Sequence, residues 1–189
     1  MAAGVNLAAV NYYFGGKEGL FLEVVRQRVR PLNEARLSEL AQAAEAAGGK
    51  PPPLEVILSI LVGPVLDAHR TPARGGAAVV RIHARCLSEA IPPFLGPELT
   101  GEFQQTLSRF AQAIRRHVPH LSPAAFLWRF TFVVGALQHS LANLHEMSGL
   151  TRGICPNNDY DNMARQFISF AANALRAPSV PDEGGQKMA

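Results

Sequence analysis

The chain has 189 residues, 48% of them hydrophobic, enough for a substantial core in one domain or two small ones. Its 18 basic and 15 acidic residues leave a net charge of +3, too small to argue for nucleic-acid binding from the total, so any such claim must rest on a local motif. Cys86 and Cys155 stand far apart with neither a CxxC pair nor a His/Cys cluster, which argues against a zinc site or a disulfide framework and fits a reducing cytoplasm.

Strand-like alternation and Asn-Gly or Asp-Gly hairpin signals are absent, while apolar residues recur at helical spacing almost throughout, so an all-α protein is predicted. A short helix is expected from about Leu7 to Tyr13, capped by Asn6 and stopped at Phe14-Gly15-Gly16. A long helix follows from near Lys17. Leu20, Val24, the stem of Arg28, Leu32, Leu37 and Leu40 form its apolar stripe, and Gly48-Gly49-Lys50-Pro51-Pro52-Pro53 ends it. Leu54 to Arg70 reads as a helix with a kink at Pro64, and Ala77 to Ala90 as a shorter one closed by Pro92-Pro93.

Phe103, Leu107, Phe110 and Ile114 share one face of a helix running to about Val118, where Pro119 stops it. Ser122-Pro123 supplies an N-cap with proline at the first helical position and opens a helix to about Met147. Gly149 to Asn158 reads as loop. The last helix, from about Asp159 to Arg176, carries Met163, Phe167, Phe170, Ala171 and Ala174, and residues 178–189 are expected to be a disordered tail. The most apolar segment, Phe126 to Leu144, is interrupted by Arg129, Gln138, His139 and Asn143, and Met1 to Leu20 lacks the basic start and apolar run of a leader. Neither a membrane span nor a signal peptide is therefore predicted.

The segment from Ala3 to Leu20, Ala-Gly-Val-Asn-Leu-Ala-Ala-Val-Asn-Tyr-Tyr-Phe-Gly-Gly-Lys-Glu-Gly-Leu, concentrates the chemistry. Gly4 permits a tight turn, and Val5, Val10 and Phe14 can pin a short helix to its neighbours. Ala8 and Ala9 allow close backbone approach and can meet a thymine methyl, Asn11 can pair with an adenine edge or a phosphate, and Tyr12 and Tyr13 offer phenolic hydroxyls to phosphates. Lys17 opens the next helix, where its ammonium and nearby backbone N–H groups can hold a phosphate oxygen. This segment resembles the recognition half of the helix-turn-helix of TetR-type transcriptional regulators. By that resemblance Leu7, Ala8, Ala9, Asn11, Tyr12, Tyr13 and Lys17 fall on DNA-contact positions, although the family more often has histidine at the place of Tyr13 and serine at that of Gly16.

Local charge pulls the other way. Lys17, Arg26, Arg28, Arg30 and Arg36 are balanced by Glu18, Glu23, Glu34, Glu39 and Glu45 over residues 1–47, leaving no basic footprint. The resemblance implies two further helices ahead of the segment, roughly 30 to 40 residues before Met1. The expected organisation is a partial DNA-binding domain with its connecting helix over residues 1–47, then a ligand-binding and dimerisation domain over 48–177. Without the preceding helices, the chain itself is expected to bind DNA poorly and to act mainly as a ligand-binding dimer.

In the second part, Phe126 to Ala136 is apolar on every side, as suits a helix buried both against its own core and against a second subunit. The resemblance implies that this helix and the last one form a four-helix interface of a homodimer, with Phe130, Val134, Gly135, Ala136, Phe167, Ala171 and Ala174 as candidates; a plain core helix is the alternative. Together with Leu87 to Ala90 and the region from Arg109 to Pro119, it looks like the subgroup that senses long-chain fatty acids or their CoA thioesters. A small apolar ligand needs a slot walled by residues such as Leu61, Phe103, Phe110 and Phe132, and Arg81 or Arg85 can hold a carboxylate, unless these arginines are merely solvated or paired with Asp67 or Glu89.

His117 and His120, or His139 and His145, lack the spacing of a helical metal site, and no GxSxG, HExxH, P-loop or GxGxxG signature occurs, so neither a cofactor nor an enzyme is expected. The resulting expectation is a cytoplasmic, homodimeric repressor that binds a double-stranded operator, has no membrane partner, and is released by a small apolar or acyl ligand. A dimeric ligand-binding module that does not contact DNA is the alternative.

Overall fold

The structure, a computed structural model, describes residues 7–70, 96–144, 146–156 and 158–179, the side chains of residues 7, 9, 10, 69, 96–100 and 102 apart. These residues form eight helices and no strand: α1 Leu7–Phe14, α2 Lys17–Arg28, α3 Arg30–Ala46, α4 Leu54–Arg70, α5 Gly96–Arg115, α6 Pro123–Ala142, α7 Met147–Leu150 and α8 Tyr160–Arg176. The expected Asn6 cap, the Ala77 to Ala90 helix and most of the expected tail lie outside the described residues.

Helix α1 ends where its sequence demands. Gly15 closes it with a backbone N–H bond to the Asn11 carbonyl at 3.1 Å, in the left-handed region at φ 68°, and Gly16 at φ 114° turns the chain into α2. Residues with a side chain are strained in both conformations. Gly19 is constrained by space instead, since a Cβ placed there would stand 1.7 Å from the Phe14 carbonyl oxygen. The two helices pack backbone against backbone through this glycine.

The single long helix expected from Lys17 is divided at Val29. Pro31 has no N–H and its ring crowds the preceding turn, so the i to i−4 ladder is interrupted. Val29 stays right-handed at φ −94° and ψ −41°, and its carbonyl accepts from both Leu32 and Asn33, which makes the break a bend rather than a loop. The buried seam also differs from the expected stripe. Val25, Val29, Asn33 and Arg36 are buried, whereas Leu20, Val24, Leu32, Leu37 and Leu40 are half-buried and Arg28 is exposed. Two polar residues occupy the positions where aliphatic ones would have revealed the seam.

Helix α4 is the axis of the molecule. Leu54, Ile57, Leu58, Leu61, Val62, Val65 and Leu66 are buried around nearly its whole circumference, and α3, α5 and α8 pack on it. Its Pro64 lies within the helix, as expected. Helix α5 turns Phe103, Thr106, Phe110 and Ile114 inward and ends at Arg115, a few residues short of the expected Val118; a turn then forms as His117 donates to the Ile114 carbonyl. Arg115 reaches past this turn to the Leu121 carbonyl at 2.9 Å and caps it. The Ser122 hydroxyl accepts from the Ala125 N–H at 3.2 Å with Pro123 in the first turn, the predicted start of α6. That helix stops at Ala142 rather than near Met147, because Asn143 turns back and donates its side-chain amide to the His139 carbonyl. Asp159 caps α8 through the Asn162 N–H.

Candidate functional site

Helix α1 displays a polar and aromatic tip. Ala8, Asn11, Tyr12, Tyr13 and Lys17 are exposed, Tyr12 and Tyr13 by 83% and 75%, with their rings edge to face at 5.1 Å. Neighbouring phenols left this open present two hydroxyls to solvent at a helix end, and Lys17 sits at the N-terminus of α2, where amide N–H groups have no partner within the helix. The side chains of Leu7 and Ala9 lie outside those described. Phe14 is also exposed, so of the residues expected to pin this helix it supplies little burial in this chain.

A second constellation lies inside the bundle, between α3, α4, α5 and α6. Leu61, Phe103, Leu107, Val134, Leu137 and Leu141 wall a slot whose polar members are Asn33, Arg36, Thr106 and Gln138. Its volume is about 20 Å³, room for a single water molecule. Arg36 is 3% exposed; its Nε donates to the Leu61 carbonyl at 2.9 Å and its Nη1 to the Asn33 side-chain oxygen at 3.1 Å. Burial pushes the guanidinium down to about 10, against a smaller opposing pull from Glu39, so it remains a cation at neutral pH. The accepting carbonyl belongs to the turn of α4 that contains Pro64. Arg36 thus ties the helix leading to the tip onto the proline turn of the central helix.

The expected ligand walls are only partly brought together. Leu61 and Phe103 line the slot, and Phe110 is fully buried in the adjoining core. Phe132 does not line this slot: it is 63% exposed and stacked on Trp128 at 5.9 Å between ring centroids. Arg81 and Arg85 lie outside the described residues. The polar set of Asn33, Arg36, Thr106 and Gln138 was not anticipated. Its signal was nonetheless present, because Asn33 and Arg36 continue the spacing of Val25 and Val29 around one helix face.

Helix α6 has two apolar faces. Phe126, Phe130, Val133, Leu137 and Leu141 are buried in the bundle, while Leu127, Trp128 and Phe132 are exposed, joined on α8 by exposed Phe170. Of the residues expected at a subunit interface, Phe130, Phe167 and Ala171 are buried in the core of the single chain and Val134 lines the slot, whereas Gly135 is exposed and Ala136 and Ala174 are half-buried. A helix apolar all round carries no periodic signal of which stripe faces inward, so composition could not separate the two faces. A cleft of about 570 Å³ between α6 and α8, bounded by Ala136, Met163 and Phe170, adjoins the outer one.

Among the described residues no group of His, Cys, Asp and Glu is arranged to hold a metal ion, and no helix is long and apolar enough to cross a membrane. No curated protein matches the chain. A family model does: residues 59–174, from the middle of α4 to the last turn of α8, match the tetracyclin repressor-like C-terminal domain. With an all-helical bundle built around that stretch, the chain belongs to the TetR family of ligand-responsive transcriptional regulators.

Proposed function

We propose that the protein is the DNA-binding repressor of a one-component circuit, working as a cytoplasmic homodimer that a small apolar ligand releases from a near-palindromic operator. The observation that carries this reading is the exposed tip of Asn11, Tyr12, Tyr13 and Lys17 standing one bent helix away from a polar slot in the bundle. Ala8, Asn11 and the two phenols read base edges and phosphates, and Lys17 with the α2 N-terminus holds a phosphate. The Leu127, Trp128 and Phe132 face of α6 with Phe170 of α8 meets its two-fold equivalent. Exposed large apolar side chains of this kind, Trp128 stacked on Phe132 among them, are the usual core of a subunit contact. Two half-sites then fit only one separation of the recognition helices, and a ligand that disfavours it by a few kcal/mol lifts repression.

A gel-shift assay of the full-length gene product on the DNA upstream of its own gene tests this. A discrete shift lost in Tyr12→Ala is expected; no shift on any fragment overturns it. The balanced charge of residues 1–47 favours a second reading, a dimeric ligand-binding module without operator binding. That reading predicts a dimer that binds ligand and no DNA.

A further inference from the structure

Helix α3 carries an apolar strip apart from its buried seam. Leu37, Leu40, Ala41 and Ala44 recur at the spacing of one helix face, the leucines half-buried and the alanines exposed. Beside the strip stand Arg109 of α5 and Arg116 just after that helix, both exposed, with Gln112 between them in sequence. Together they border an open groove of about 490 Å³ that shares no residue with the slot. The charge of the groove is one-sided. From Phe103 to His145 the sequence has four arginines and no acidic residue, and Glu34 and Glu45 of α3 stand before and after the apolar strip without lining the groove. Among the described residues neither Arg109 nor Arg116 makes an ion pair or a hydrogen bond.

We infer that this groove is a docking surface for an acidic amphipathic helix of another protein, its aliphatic stripe laid on the α3 strip and two of its carboxylates meeting Arg109 and Arg116. Small side chains at Ala41 and Ala44 keep the strip low, so a second helix can approach closely. The two arginines are seven residues apart, about 10 Å along the axis at 1.5 Å per residue. Carboxylates seven residues apart on an incoming helix have the same separation, so a helix lying along α5 engages both arginines at once. Guanidinium forks suit carboxylates, and apolar surface beside the pair shields it from water and strengthens it. A small molecule is a poorer occupant, because a small-ligand site encloses most of its ligand and this groove is open. The contact lies outside both the slot and the tip, and it gives a second protein a hold on the helix that leads to the tip.

Fluorescence anisotropy of the full chain with labelled synthetic peptides tests this. The probe is a helical peptide of about four turns with leucine at positions a and d of each heptad and glutamate at e, which sets the glutamates seven residues apart beside the leucine stripe. Wild type is expected to bind it roughly tenfold more tightly than the same peptide with glutamine at e, the factor that two partly shielded ion pairs carry. The double variant Arg109→Glu with Arg116→Glu, changed only at exposed positions, is expected to lose that preference and to bind a peptide with lysine at e more tightly instead. Ala41→Glu, in the floor of the groove, is expected to weaken the glutamate peptide while both arginines remain. Equal affinity of wild type for the glutamate and glutamine peptides, a preference kept by the double variant, or indifference to Ala41→Glu each overturn the inference. So does binding of phosphatidylglycerol vesicles without binding of the peptide, which would assign the arginines to a lipid surface. None of these results bears on the operator reading, which the gel shift decides.

Discussion

Helices α1 and α2 and the bundle from α4 to α8 are held by different means. In the bundle, cohesion is spread over many large side chains: Phe110, Leu58, Ile57, Ile114 and Leu175 have essentially no exposed surface, and α8 locks against α4 along its length. At the tip, α1 and α2 approach backbone to backbone at Gly19, while the side chains of Tyr12 and Tyr13 point into solvent. A region that distributes its contacts keeps its shape, and a region that leaves its apolar and polar groups exposed is open to a partner. The outer face of α6 shares that exposure although it sits on the bundle.

The contrast can be broken at several points. Phe110→Ala, in the middle of the core, should lower the unfolding free energy by about 3–5 kcal/mol with one cooperative transition, as measured by chemical denaturation. A much smaller loss would mean that the bundle is less tightly packed than its burial implies. Phe132→Asp, on the exposed face, should leave the fold intact but weaken self-association by about 2 kcal/mol or more, seen as a shift to monomer in sedimentation. Unchanged association would remove this face from the dimer.

Gly19→Ala forces a methyl onto the Phe14 carbonyl and should undock α1 at a cost of about 1–3 kcal/mol. Faster chymotryptic cleavage after Tyr12 and Tyr13 with an unchanged thermal midpoint would confirm that the tip is separate from the bundle. A lowered midpoint would refute the separation. The smallest effect belongs to the exposed pair of Glu55 and Arg176, which ties the start of α4 to the end of α8. Hydrogen bonds from Arg176 hold the Glu55 carboxyl below its usual 4.5, so the fold favours the ionised form. The stability it contributes is present above that value and fades as pH falls through the lowered one. Glu55→Gln should therefore be slightly less stable than wild type at neutral pH, with the gap closing below about pH 4.5. A gap independent of pH would show that the charge is irrelevant.

Much of the helical order was legible because helix ends are decided locally. Ser122 with Pro123, Asp159, and the Gly15-Gly16 pair each satisfy or terminate a backbone ladder within a few residues, so their chemistry reads directly from the chain. The division at Val29 was equally local, and Pro31 announced it; the aliphatic periodicity running past that proline concealed it. Two features needed the fold. The buried seam of α3 contains an asparagine and an arginine, which a search for apolar stripes passes over, and the Leu61 carbonyl that Arg36 meets comes from a distant helix. The inward face of α6 is set by which stripe α8 and the core cover, and a uniformly apolar helix gives no hint of that choice.

The bend at Val29 has a consequence of scale. Lys17 and Arg36 are joined through α2 and α3, a path of about 28 Å at the helical rise of 1.5 Å per residue. A rigid arm of that length would turn a rotation of roughly 5° near Arg36 into a swing of about 2.5 Å at Lys17, a large part of the roughly 3.4 Å step between successive phosphates of one strand. A joint soft enough at Val29 to absorb the rotation would cancel that gain. The right-handed backbone retained there, with the Leu32 and Asn33 amides still bonded to the Val29 carbonyl, favours a stiff bend over a free hinge.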